Sequence, residues 1–434
     1  MWPEFPHLYI PIVIMEKAKI LITPAHYYLD EKTAGSEISW VVNIIKGVAK
    51  SNIYNLDIIT GLNENVDIDG NSCTIYEISK RLKNRLNVFY ALYFTVKKAF
   101  KYKVLALKND YKIVHHMLPF GIGNTFDLEF IFKDKNKKYL LGPIQPPLIS
   151  AYSSDEFDYA VTGFTISSLQ RFFRKADVFL ITLFKRYTNY LSDLTLKNAD
   201  TIIVINEYTR NLLIGRNILP KKIIVVSPGI DTKKFEYVPY EQKATSVLEL
   251  ITVGTLIKRK GVDLIIKAVS EVVKENKNIR LRVIGNGPQM ESLKRLTAEL
   301  KLNNHITYQG YVPNEEIQEC YKRAHIFLNM SRSESWGQMY LEAMACGLPI
   351  ISSRNSGSIE IVKDGKFGYL VEQEDYNSLA GKIVYMIQHK DVIEEFGRKA
   401  RTEVEDNYDW KTSIVPEYLK IYQALSTGYV GIHE

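Results

Sequence analysis

From Leu248 to about Met386 the chain alternates strand-length apolar runs with helix-length segments, and that alternation demands a parallel sheet joined by right-handed crossovers. Leu248–Val253 reads as a strand, residues 254–261 (GTLIKRKG) as a basic loop, and Val262–Lys274 as a helix. Ile279–Ile284 reads as the next strand, ending in Gly285-Asn286-Gly287-Pro288. An earlier stretch repeats the design. Ala18–Thr23 and Leu56–Thr60 read as strands around a helix at Ile38–Val48, and Thr201–Ile205 and Lys222–Val226 as strands around another. Between them the pattern predicts a long basic helix over Ile75–Lys103, short strands at Val104–Leu107 and Ile113–His116, and a strand at Tyr139–Leu141 that gives way to the loop GPIQPP. A chain of 434 residues exceeds one compact core and divides naturally into two domains of about 200 residues. The expected fold class is therefore α/β, with two facing Rossmann-like domains at residues 18–226 and 241–408. A linker at 227–240 joins them, and residues 1–17 form an N-terminal extension.

Charge narrows the partners. A net charge of +7 from 56 basic and 49 acidic residues is well short of a nucleic-acid-binding tail and suits anionic substrates or an anionic membrane surface. Cys73, Cys320 and Cys346 are odd in number and lack metal-ligand spacing, which argues for a reducing compartment and against a disulfide scaffold. No apolar run reaches the ~18 to 20 residues of a spanning helix, and no basic leader precedes an apolar core. The opening MWPEFPHLYIPIVI carries three prolines and is followed by MEKAKILIT, so Met15 is a candidate initiator. Residues 168–197 mix basic and aromatic side chains. One face suits a membrane surface; the alternative places the aromatics in the core and the cations in solvent.

The chemistry concentrates in Ala324–Glu360, where AHIFLNMSRSESWGQMYLEAMACGLPIISSRNSGSIE reads as strand, loop, helix, strand, loop. Glu334 lies on the first loop. Glu342 lies inside an almost wholly apolar helix, where an unpartnered carboxylate costs roughly several kcal/mol, so the sequence requires a partner such as a ligand hydroxyl pair. In open α/β sheets ligands sit outside the carboxyl ends of the strands, and several loops there carry suitable groups. Lys258, Arg259 and Lys260 are placed to meet a diphosphate, while Ser356 and Gly357 stand just before a helical start where amides hold anions. Gly285 opens a weak G-x-G. Gly35 and Ser36, between the first strand and helix, are a second weak anion signal, and His115-His116 end a strand of the first domain.

At these residues the chain resembles the retaining, family-four type of glycosyltransferase with the GT-B fold, over essentially Lys19 to Tyr422. The specific part is Glu334 to Glu342 with EAMACGLP and SGSIE, supported by VGTLIKRKGVD, VIGNGP and VSPGIDTKKF in order. The resemblance implies that Glu334 lies near the donor sugar hydroxyls and that Glu342 accepts from the ribose hydroxyls. It implies that Lys260, with Arg259, neutralises the diphosphate at the loop begun by Gly254. Amides of Gly35, Ser335, Trp336 and Gly337 would approach sugar and phosphates, Tyr311 and Val312 would border the base, and His115 or His116 would sit beneath the sugar. Residues 409–434 would be a helix crossing back to the first domain, followed by a tail.

The resemblance further implies a hexose-type sugar moved from a UDP- or GDP-linked donor to a glycan or lipid-linked acceptor in surface polysaccharide or glycoconjugate synthesis. Retention by front-face attack, no bound metal and no cofactor belong to the same expectation, while the cysteines point to a cytoplasmic place and the basic-aromatic segments of the first domain to a peripheral membrane contact. The sequence departs from the family where Thr255 replaces arginine, Ser356-Gly357 replaces Gly-Gly, Ser335-Trp336-Gly337-Gln338 replaces a Gly-Phe-Gly type loop, and GPIQPP replaces a glycine-rich loop. Other readings are a GT-B epimerase or hydrolase of nucleotide sugars and a catalytically inactive nucleotide-sugar-binding scaffold. A pyridine-nucleotide oxidoreductase lacks its full G-x-G-x-x-G after the first strand.

Overall fold

The computed structural model describes residues 17–25, 28–30, 37–64, 66–68, 72–78, 88–117, 127–146, 189–243 and 247–427. In the first domain β1 (Lys19–Ile22), β3 (Asn55–Thr60), β5 (Cys73–Glu77), β6 (Tyr111–His116), β7 (Lys138–Ile144), β8 (Thr201–Val204) and β9 (Ile223–Val225) form one sheet, in the order β5-β3-β1-β6-β7-β8-β9. A short pair, β2 (Tyr28–Asp30) with β4 (Leu62–Glu64), lies beside it. In the second domain β10 (Leu248–Val253), β11 (Ile279–Ile284), β12 (Ile306–Gly310), β13 (Ile326–Asn329), β14 (Ile350–Ser353) and β15 (Gly368–Val371) take the order β12-β11-β10-β13-β14-β15. Every pairing in both sheets is parallel, as strands buried on both faces and joined by helices must be. Each strand order reverses once, at β1/β6 and at β10/β13, and the crevice at such a reversal is where this architecture holds ligands.

The described helices of the first domain are α1 (Glu37–Ser51), α2 (Val88–Lys108), α3 (Leu128–Ile131), α4 (residues 189–198) and α5 (Glu207–Gly215). Those of the second are α6 (Val262–Glu275), α7 (Met290–Glu299), α8 (Ile317–Arg323), α9 (Gln338–Ala345), α10 (Ser356–Val362), α11 (Tyr376–Gln388) and α12 (Lys390–Asn407). A π-helical turn at Trp410–Ile414 then leads into α13 (Val415–Thr427), which packs back on α1 and β6. The two chain crossings between the domains run side by side: Ile230 donates to the Tyr408 carbonyl at 2.8 Å, and Trp410 donates back to Ile230 at 3.1 Å. One apolar cluster extends from Ile20 and Val41 through Trp410 and Tyr418 to Trp336 and Phe327, so the domains share buried surface. No described helix is long and apolar enough to cross a membrane.

Three local expectations change. Ile75 lies in β5, opposite Ile58, instead of opening a helix. Val104–Leu107 belongs to α2: Leu105 is buried with Leu21, Ile59 and Tyr111, whereas Leu107 is 81% exposed, a one-sided burial that a strand inside the sheet would not permit. The run VLAL is β-like only when read alone. Gly142 and Pro143 lie within β7, not in a loop. Gly142 has φ +129, and a Cβ there would meet the Ile203 carbonyl oxygen at 2.2 Å, so only glycine lets β7 pass β8.

Candidate functional site

The carboxyl ends of β10 and β13 face each other across the reversal of the second sheet, and their loops are laced together. Leaving β10 at Gly254, the chain makes a short 3-10 turn at Lys258–Lys260 before α6. After β13 comes the loop 330–337. Arg332 donates from its backbone to the Arg259 carbonyl at 2.7 Å and from its guanidinium to Asp263 at 3.1 Å through both nitrogens. It also donates to the Lys258 carbonyl and pairs with Glu374. Arg259 returns a bond to the Ser333 carbonyl. Planar guanidinium forks suit this stitching, and the carboxylates around Arg332 hold it firmly protonated. The product of the stitching is an ion pair between Lys260 Nζ and the Glu334 carboxylate, both nearly buried, with the Arg259 guanidinium 3.8 Å from the same oxygen. A small cleft beside it is lined by Gly254, Leu256, Lys260, Ile284 and Asn329.

The loop after Glu334 is held from two sides. Ser356 Oγ donates to the Glu334 carbonyl at 2.8 Å and the Gly357 amide to the same oxygen at 3.1 Å. These groups brace Glu334, which corrects the expectation that they serve as a phosphate cradle; α10 is capped instead by Asn355 and Ser358. From the first domain, the fully buried Asn206 donates to the Ser335 carbonyl at 2.9 Å, Ser335 Oγ lies 3.4 Å from Gln145 Oε1, and Trp40 Nε1 lies 3.3 Å from Gln338 Oε1. Two segments that depart from the family pattern, GPIQPP and Ser335-Trp336-Gly337-Gln338, thus touch across the cleft. The Trp336 ring is core, packed against Tyr408 at 6.0 Å. α9 follows Gly337, which has φ +88, and no side chain caps its first turn.

Glu342, one turn further along α9, accepts from the Tyr321 hydroxyl at 2.8 Å. Burial pushes its carboxyl up from the ordinary range, and the Tyr321 hydrogen bond opposes that rise. A protein partner therefore meets part of the desolvation cost that the sequence left to a ligand. Gly285 and Gly254 are spent on the sheet edge: the Gly285 amide donates to Gly310 at 2.8 Å and the Gly254 amide to Ile284 at 3.0 Å. Tyr311, 72% exposed, stands at the carboxyl end of the edge strand β12, with Val312 half-buried beside it. Gly35 and Ser36 lie outside the described residues, as does most of the stretch 168–197.

The histidine pair does not face one site. His115 is wholly buried; its Nε2 donates to the Gly142 carbonyl at 2.8 Å, and its Nδ1 accepts from the Tyr422 hydroxyl at 2.7 Å. Both nitrogens tie β6 to β7 and to α13, and burial holds its pKa down at about 3. That makes it a neutral structural histidine, which corrects its place among the catalytic candidates. His116, also buried, is bonded through Nδ1 to Asp127, which pairs with Lys98 at 2.8 Å; Lys98 pairs with Glu129 at 2.8 Å as well. Sequence reasoning missed Arg332, Asn206, Gln145, Tyr321 and Asp127. Asn206 and Asp127 each open a helix as the capping residue, a signal the sequence carries, but nothing local marks the others.

With the geometry in view, residues 234–403 match the family model of glycosyl transferases group 1. The chain is 28% identical over 393 residues to an uncharacterized glycosyltransferase of Methanocaldococcus jannaschii, covering 86% of this chain and 97% of that protein. It is 26% identical over 231 residues, half of this chain and 60% of the relative, to a GDP-mannose-dependent alpha-(1-6)-phosphatidylinositol monomannoside mannosyltransferase of Mycolicibacterium smegmatis. Among solved structures, sucrose-phosphate synthase from Thermosynechococcus elongatus superimposes with a TM-score of 0.66 at 18% identity, over 95% of this chain and all of that one. The two facing parallel sheets with a returning terminal helix are those of the GT-B fold, and within it residues 234–403 carry the likeness to glycosyl transferases group 1.

Proposed function

We propose that the protein transfers a hexose-type sugar, with retention of anomeric configuration, from a UDP- or GDP-linked donor to a glycan or lipid-linked acceptor. The observation that carries this reading is the Lys260–Glu334 pair at the reversal of the second sheet, with the uncapped start of α9 beside it. In this reading residues 241–408 hold the nucleotide sugar, residues 18–226 the acceptor, and residues 409–434 begin as the return helix. A diphosphate competes with Glu334 for the Lys260 ammonium. The cation and the amides of α9 then neutralise the leaving group, and the released Glu334 carboxylate accepts from sugar hydroxyls. Glu342 reaches the ribose hydroxyls with its orientation fixed by Tyr321, and Tyr311 borders the base. The sugar C1–phosphate bond breaks while a bond to the acceptor oxygen forms on the same face, and the acceptor proton passes to the leaving diphosphate. His116 is the histidine of the pair kept for the sugar side. A lipid-linked acceptor accords with the phosphatidylinositol monomannoside substrate named for the mycobacterial relative.

Thermal shift with UDP, GDP and their sugars tests the donor, since a ligand at 100 times its Kd adds about 2.7 kcal/mol of stability. Transfer to a labelled acceptor, with the anomeric coupling of the product read by NMR, tests retention. Absence of stabilisation by any nucleoside diphosphate sinks the assigned site. Donor turnover that needs no acceptor favours an epimerase or hydrolase instead.

A further inference from the structure

We infer that α2 docks the protein on an anionic lipid surface. The helix VFYALYFTVKKAFKYKVLALK carries five lysines and no acidic residue over Val88–Lys108. Its buried side, Phe94, Lys98 and Leu105, faces the domain, and the Lys98 charge is met there by Asp127 and Glu129. The opposite side leaves Tyr93 47%, Val96 57%, Phe100 72% and Leu107 81% exposed. These positions recur at three-, four- and seven-residue spacing, so they form one stripe along the helix. Large apolar groups in such a row on a monomeric surface mark an interaction site. Lys97, Lys101, Lys103 and Lys108 flank the stripe. Two of them lie over aromatic rings rather than beside carboxylates, Lys97 at 4.7 Å from the Tyr93 ring and Lys101 at 4.3 Å from the Tyr76 ring.

Apolar groups flanked by cations that pair with no carboxylate among the described residues fit the boundary of an anionic bilayer, where the rings enter the headgroup layer and the ammonium groups meet phosphates. A protein partner would need an acidic surface of the same length. Because α2 runs antiparallel to the strands, its first turns lie at the carboxyl edge of the first sheet, the edge that borders the cleft. The inference rests on the lipid-linked acceptor proposed above and deepens it by naming the surface on which that acceptor is met. It also moves the membrane contact expected from residues 168–197 onto a different element.

Cosedimentation of the full chain with phosphatidylglycerol vesicles and with phosphatidylcholine vesicles tests this. The protein pellets on the anionic vesicles, not on the neutral ones, and is released as salt rises from about 0.1 M to about 0.5 M. Phe100→Ser with Leu107→Ser, and separately Lys97→Glu with Lys103→Glu, each lower the partition coefficient at least about tenfold, since one lysine at such a surface is worth about fivefold. Melting temperatures stay as in the wild type because these side chains are exposed. Equal pelleting on both vesicle types, or pelleting that survives both pairs of substitutions, overturns the inference. So does a serine pair that lowers the melting temperature, because the stripe is then covered by another part of the chain. Stabilisation by nucleoside diphosphates, measured on the same preparations, is unchanged in the variants; its absence from the wild type counts against the transferase site and leaves the vesicle result standing.

Discussion

The side-chain amide of Asn206 donates to the carbonyl oxygen of Ser335 at 2.9 Å, and through that buried bond the first domain holds the residue next to Glu334. Its own oxygen accepts from the Thr209 amide at 2.9 Å and caps α5, so one side chain serves both a helix and the domain contact. The two roles separate by substitution. Asn206→Ala loses both, at a cost of about 1 kcal/mol for the cap and a similar amount for the hydrogen bond. Asn206→Ser keeps a good cap but is too short to reach Ser335. We expect the serine variant to melt closer to wild type than the alanine variant while both lose about the same transfer activity. Equal activity in the serine variant and wild type would show that the bond does not position Glu334.

Arg332 braces the turn that carries Lys260, and we expect it to act on transfer through that lysine. Removing its guanidinium leaves the Lys258 carbonyl with only the Gly261 amide as donor and Asp263 and Glu374 without a shared cation, so the turn at Lys258–Lys260 loses part of its brace. Lys260→Ala should lower transfer at least about tenfold, or ~1.4 kcal/mol of transition-state stabilisation. Arg332→Ala should fall in the same direction mainly through kcat, with Arg332→Lys recovering only part because an ammonium cannot span both carboxylate oxygens. Combined with Lys260→Ala, the loss should be less than additive. Full additivity, read from kcat/KM of the four proteins, would mean that Arg332 does not work through Lys260.

Much of the strand framework was legible because each buried strand carries its own apolar run. Leu248–Val253 and Ile279–Ile284 appear with the ends read from the sequence. Val104–Leu107 misled because four β-compatible residues look alike in a strand and in a helix, and only tertiary burial of Leu105 decides. Within the candidate site, Glu334, Lys260 and Arg259 were marked by residue type and loop position, and the fold brings them together. The Tyr321–Glu342 and Asn206–Ser335 contacts join residues 21 and 129 positions apart, and no periodicity encodes such a pairing. His115 shows the converse: its type suggested chemistry, and only the carbonyl of Gly142 and the hydroxyl of Tyr422 reveal a structural role.

His115 also predicts a pH dependence. Its pKa is about 3 in the fold against an ordinary value of 6.5, because burial disfavours the cation. Between those values the unfolded chain binds the extra proton and the folded chain does not. The contribution is therefore fully present above pH 6.5 and is lost progressively as pH falls toward 3. Replacing His115 with glutamine, which can still donate to Gly142, should flatten part of the fall in melting temperature on acidification. Thermal melts across that window check it, and an identical slope in the variant would assign the acid lability to other groups.

Chelation tests how the diphosphate charge is met. If Lys260, Arg259 and the start of α9 neutralise the leaving group, then transfer needs no divalent cation, since cations and helix amides can supply the same stabilisation. We expect the transfer rate after treatment with EDTA to stay within about twofold of the untreated rate, a difference of ~0.4 kcal/mol in barrier. The charge should instead appear in the ionic-strength response: donor KM should rise with salt in the wild type, and less steeply in Lys260→Ala, because one of the attracting charges has been removed. An activity abolished by EDTA and restored by magnesium would assign that task to a metal and leave Lys260 with the structural part of holding Glu334.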